Sequence, residues 1–255
     1  MKARHLSHLA LILQIILALF FCWTSAFTIF KSFNEDSLIF IQSLYDFLPC
    51  FVICIASLIT EIILTVKHKS HLSERELLPL LFLFITLQNI VVLPKLYFYS
   101  TSYPIYYING FIIASRFVLI MVSVLFLFSS LIMIGAQIPK NSAISTISCV
   151  VALMIALIIP IDTNYITNLG GNDIYNSIFV ILIIVTFVIS IILNTLTIFS
   201  NEVTNKNIEK NIAFCFMLLA EIFIVFNLNA PALPFIGVGL YVISNILLIA
   251  SSNNY

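Results

Sequence analysis

Eight runs of apolar residues, near 9–30, 46–66, 77–97, 109–134, 144–161, 176–200, 208–228 and 230–250, occupy most of this 255-residue chain. Each approaches the ~20 residues that a helix needs to cross a hydrocarbon core about 30 Å thick. Lipid offers no partner to backbone polar groups, so a run of this kind is a helix or part of a closed barrel. These runs are continuously apolar rather than alternating, which excludes the barrel. The sequence therefore predicts an all-α fold: a polytopic transmembrane helix bundle of about eight spans, forming a single integral membrane domain over residues 1–255. Only the stretch from Asn227 to Pro234 parts the last two spans, and its Asn and Pro content reads as a tight turn.

The connections reach at most about fifteen residues, which leaves no room for a nucleotide-binding, kinase or other soluble output domain. Charged residues make up 9% of the chain, against about 25% in globular proteins. Eleven Lys and Arg balance eleven Asp and Glu, so nothing here would hold a nucleic-acid backbone. The five cysteines, Cys22, Cys50, Cys54, Cys149 and Cys215, all fall in apolar runs and indicate no disulfide framework. Cys50 and Cys54 lie one helical turn apart with no further ligand near them in sequence, so they read as small buried residues rather than a metal site.

An even number of spans places both termini on one side, and Lys/Arg asymmetry says which. Lys2, Arg4, Lys67, Lys69, Arg75, Lys140, Lys206 and Lys210 flank one face, whereas Lys31 and Lys95 flank the other. Both termini are thus expected in the cytoplasm, the host being an inner or plasma membrane. Tyr97, Tyr99, Tyr103, Tyr106 and Tyr107 then gather at the outer boundary, where amphipathic rings are well accommodated. Lys2 and Arg4 followed by an apolar run and Thr24-Ser25-Ala26 imitate a signal peptide. Because apolar character resumes at Phe27, the segment is read as an uncleaved helix; cleavage would leave seven spans.

Ionisable groups inside lipid are costly, which makes Glu61, Arg116 and Glu221 the most informative residues. Arg116 and Glu221 each lie seven residues from the outer end of their spans, about 10 Å deep. Equal depth suggests an ion pair, acting either as a strut across the bundle or as a ligand-holding outer gate. Glu61, about 8 Å from the cytoplasmic boundary, shares its depth with Asn194 and Asn245, and Gln88 and Asn89 sit near the middle of the third span. Polar groups at three levels would line a permeation route. The bland reading makes the amides interhelical glue, with Glu61 snorkelling or protonated. All eight prolines fall at or near expected span ends and only six glycines occur, so no broken-helix ion site is expected.

His5, His8, His68 and His71 form two i, i+3 pairs at the cytoplasmic face. They could converge on a metal, but imidazoles among Lys and Arg at a membrane boundary are commonplace, so no metal is expected. No HExxH, phosphate loop or GxSxG occurs, and Asp162 and Asp173 flank a solvated outer loop, which leaves an intramembrane enzyme as a weak third reading. The leading expectation is a small-solute transport protein or transport subunit without a cofactor, whose partners are the lipid bilayer, a small-molecule ligand and a partner subunit. The rival is a ligand-sensing receptor or assembly subunit that acts through a separate protein.

Overall fold

The computed structural model describes residues 2–33, 37–67, 77–93, 106–134, 141–159, 177–199, 205–225 and 233–253. These residues are all-helical, with no strand among them. The eight helices are α1 (Lys2–Phe33), α2 (Ser37–Lys67), α3 (Leu77–Gln88), α4 (Tyr106–Met133), α5 (Asn141–Ile158), α6 (Ser177–Phe199), α7 (Asn205–Val225) and α8 (Leu233–Asn253). They coincide one for one with the apolar runs. Long, sufficiently apolar stretches of α1, α2, α4, α6 and α8 are able to cross a membrane, which marks the chain as an integral membrane protein. The apolar parts of α3 and α5 are shorter, and α7 opens on the polar stretch Asn205-Lys206-Asn207.

Two helices depart from the expected continuity. Pro49 lies inside α2, not at its end, because the helix begins at Ser37, well before the apolar run. The polar residues that disguised this extension are satisfied locally: Ser43 Oγ bonds the Phe40 carbonyl and the Ser32 hydroxyl of α1. A buried proline there removes one backbone donor and frees the carbonyl of Tyr45, four residues earlier. The α-helical part of α3 ends at Gln88 and passes into a 3-10 turn at Asn89–Val91. That break occurs at the midspan pair of amides, and short 3-10 pieces within a helix often mark a functional hinge.

The packing partners close a ring in the order α1, α2, α8, α7, α6, α4, α3 and back to α1, with α2 also touching α3 across it. The eighth helix, α5, packs on α4 and turns Ile147, Val150, Leu153, Met154 and Leu157 outward. A similar stripe on α1, from Leu9 through Ile16 and Trp23 to Phe30, is exposed and suited to lipid contact. Inside the ring Leu81, Phe82, Leu119, Phe126, Phe187, Phe214 and Leu218 form the main core. Helices α7 and α8 meet closely at Gly237, where an added Cβ would stand 2.7 Å from Ile224 Cγ1 and 2.9 Å from the Ala220 carbonyl oxygen. The Gly237-x-Gly239 pair therefore packs within the chain at its first glycine, while Gly239 is open.

Helix directions follow from pairs of contacts. Ser32 with Ser43 and Ser25 with Cys50 make α1 and α2 antiparallel. Tyr45 with Phe235 and Ser57 with Tyr241 make α2 and α8 parallel. The start of α1 and the end of α8 consequently lie at the same end of the bundle.

Candidate functional site

The ring interior holds a polar line built from five helices. Ser57 of α2 and Tyr241 of α8, both buried, share a hydrogen bond of 2.7 Å. Ser57 Oγ also donates to the Ile53 carbonyl at 2.7 Å. A serine hydroxyl has one proton, so Tyr241 is the donor in the bond between them. The Glu221 carboxylate of α7 stands near the Tyr241 hydroxyl and is hydrogen-bonded by the Gln88 side chain of α3, directly across the ring. Glu221 Oε2 and Gln88 Oε1 are buried without a hydrogen-bond partner. One turn beyond Ser57, Glu61 is 1% exposed and both of its carboxylate oxygens lack a partner. One turn beyond Tyr241, buried Asn245 likewise leaves Oδ1 and Nδ2 unmatched.

The same interior continues toward α1. Gln14 Nε2 donates to Thr86 Oγ1 at 3.2 Å. Asn89 Nδ2 donates to Cys54 Sγ at 3.3 Å and to the Thr86 carbonyl at 3.1 Å, so the 3-10 turn of α3 is tied to α2. Cys54 also contacts the thiols of Cys22 and Cys50, which places a third sulfur where sequence spacing gave no partner ligand. Nonetheless, among the described residues no group of three or more His, Cys, Asp and Glu is arranged to hold a metal.

Arg116 and Glu221 are not brought together. Arg116 Nη1 donates to the Ile159 carbonyl at 2.8 Å, and its guanidinium lies over the Phe179 ring at 5.9 Å from the centroid. Ile159 follows the last residue of α5, so Arg116 meets unpaired carbonyls at the negative end of that helix dipole. The physical reason for the mismatch is azimuth. Arg116 turns toward the end of α5 and the Phe179 ring of α6, whereas Glu221 turns toward Gln88 and Tyr241. Asn194 also joins other partners than Glu61 and Asn245: its Nδ2 donates to Ser130 Oγ of α4 and to the Ser190 carbonyl, each at 2.9 Å. It fastens α6 to α4.

Of the histidines, His8 is exposed on α1 and His5 belongs to the same helix, whereas His68 and His71 lie outside the described residues, as do Asp162 and Asp173. Residue-by-residue reading passed over Tyr241, Ser57, Gln14 and Thr86. Tyr241 carried a usable signal, being a tyrosine in the middle of an apolar run rather than at a membrane boundary. Serine and threonine carried none, because they satisfy themselves on the preceding helical turn wherever they fall, as Thr60 and Ser190 do here. Comparison with protein-family models, with curated proteins and with solved structures gives no match.

Proposed function

We propose that the chain is a small-solute membrane transport protein, or the membrane subunit of one, whose path runs inside the helix ring past Gln88, Glu221, Tyr241, Ser57, Asn245 and Glu61. The observation that carries this reading is the pair of buried carboxylates on α2 and α7, with the Tyr241–Ser57 hydrogen bond between them and polar atoms left unmatched on both sides. A carboxylate held away from water is expensive, and such groups face pathways or partners rather than lipid. The 3-10 turn beside Gln88 adds a place where one wall of the path can flex. Arg116 has no part in this path: it closes the end of α5. The orientation belongs to the same reading, with both termini cytoplasmic in an inner or plasma membrane, as Lys/Arg asymmetry directs.

The test is uptake by the purified chain in liposomes, run against labelled amino acids, sugars and carboxylic acids. One class is expected to enter above protein-free vesicles, with uptake lost in Glu221→Gln and kept in Arg116→Lys. Absence of uptake for every class by folded protein, joined with stoichiometric capture of a second protein in mild detergent, would replace this reading with the receptor or assembly subunit.

A further inference from the structure

Small side chains line the seam between α1 and α2 at three successive levels. Ser32 meets Ser43; seven residues back along α1 and seven forward along α2, Ser25 donates to the Cys50 thiol at 3.5 Å. Antiparallel helices held in that register bring the next turn of each together, which is Cys22 on α1 and Cys54 on α2. The two thiols are in hydrogen-bonding contact there. A disulfide requires Cα atoms within about 7 Å and Cβ atoms that point toward each other. Facing residues meet that limit on helices whose axes lie about 8–10 Å apart, because each Cα stands about 2.3 Å off its axis. Cys50 also touches Cys54, but it sits one turn away on the same helix, where the two Cβ atoms tilt alike toward the helix start and do not converge. All three are free thiols.

We propose that Cys22 and Cys54 are a covalent modification site, a dithiol that a quinone dissolved in the bilayer oxidises to a disulfide joining α1 to α2. Two S–H bonds break and one S–S bond forms; the two electrons and two protons released reduce the quinone to its quinol. The class of oxidant follows from access. Cys54 is fully buried, whereas Cys22 is half-buried beside Leu19 and Trp23, which are exposed on the stripe of α1 suited to lipid contact. The pair therefore opens toward hydrocarbon, which a charged, water-confined oxidant does not enter. The product suits the site, since a disulfide is neutral and leaves no S–H donor to satisfy. Its formation also reaches α3: Cys54 Sγ accepts from Asn89 Nδ2 at 3.3 Å, and Asn89 begins the 3-10 turn next to Gln88. Drawing that sulfur into a bond with Cys22 loosens the tie of Asn89 to α2 and leaves its bonds to the Ile85 and Thr86 carbonyls of its own helix. The site is a single redox pair rather than a disulfide framework, and it stands whether or not the chain carries a solute.

The experiment exposes the full-length chain, purified under reducing conditions and held in liposomes, to a fully substituted benzoquinone, which has no free ring position for thiol addition. The remaining thiols are then alkylated and the chain is digested. Mass spectrometry is expected to find the peptide containing Cys22 joined to the peptide containing Cys54 through loss of two hydrogen atoms. Two fewer cysteines per chain should be alkylated, and dithiothreitol should restore both. Oxidised glutathione, which is charged and stays in water, should leave the pair reduced. Cys22→Ser and Cys54→Ser should each abolish the cross-link. A variant combining Cys50→Ser, Cys149→Ser and Cys215→Ser, which keeps only the proposed pair, should form it in full. The oxidised chain should unfold at a higher temperature than the reduced chain, a shift absent from Cys22→Ser, because a cross-link restricts the unfolded state. The proposal is overturned if the folded, unaltered chain keeps all its thiols under the quinone, or if Cys54 is found joined to Cys50, or Cys22 to a second chain. It is equally overturned if the cross-link forms only in denatured protein, or if oxidised glutathione forms it as readily as the quinone.

Discussion

The Tyr241–Ser57 bond gives the sharpest check on the interior, because its donor is fixed by the proton count. Ser57 spends its single proton on the Ile53 carbonyl, so it receives a proton from Tyr241 and remains bonded when that proton is removed. Tyr241→Phe therefore deletes one hydrogen bond and strands nothing on Ser57, a loss of about 0.5–1.5 kcal/mol. Ser57→Ala instead leaves a phenolic O–H at a position with no exposure, where an unsatisfied donor costs about 1–3 kcal/mol. The serine variant should be the less stable of the two although each change removes a single hydroxyl. Reversible unfolding of both single variants and the double variant in mixed micelles measures this, and the cycle should return a coupling of about 0.6 kcal/mol, at most about 1.7. A Tyr241→Phe loss larger than that of Ser57→Ala would show that the phenol donates elsewhere, with the neighbouring Glu221 carboxylate the obvious acceptor. Additive losses would remove the bond altogether.

Three further outcomes follow from the packing. Losses from Arg116→Leu and Glu221→Leu should add to within about 0.5 kcal/mol in a thermal-stability cycle, since Arg116 bonds the Ile159 carbonyl whereas Glu221 faces Gln88; coupling well above that would restore an ion pair between them. Gly237→Ala should destabilise by about 1–3 kcal/mol through overlap with Ile224 and the Ala220 carbonyl. By contrast, Gly239→Ala, with nothing within 4 Å, should stabilise α8 by about 0.5–1 kcal/mol; equal effects of the two changes in an unfolding assay would contradict the close α7–α8 approach. Single thiols introduced at Phe33 and Lys67 in a cysteine-free background should label from opposite sides of the membrane, and labelling from one side would break the alternation of α1 and α2.

Hydropathy alone determined the fold class, because lipid enforces a helix wherever an apolar run of sufficient length occurs, and all eight runs became helices. It also pointed to Glu61, Glu221, Gln88, Asn89 and Asn245, since a polar side chain amid such a run has few places to go except the bundle interior. A relative depth could be counted for each, because a helix rises by a fixed step per residue. Azimuth and neighbour identity could not be read. Arg116 and Glu221 count to equal depth from their span ends yet turn to different neighbours, the Ile159 carbonyl and Gln88, and Asn194 counts to the depth of Asn245 yet bonds Ser130 of α4. Pro49 was assigned to a helix end because hydropathy marks where lipid-compatible residues begin, whereas the helix itself starts where packing and serine hydrogen bonds allow, at Ser37. The order of helices around the ring is a property of side-chain fit between segments far apart in the chain, and an apolar pattern with lipid on most sides records little of it. That order alone decided that Gln88 meets Glu221 and that Tyr241 meets Ser57.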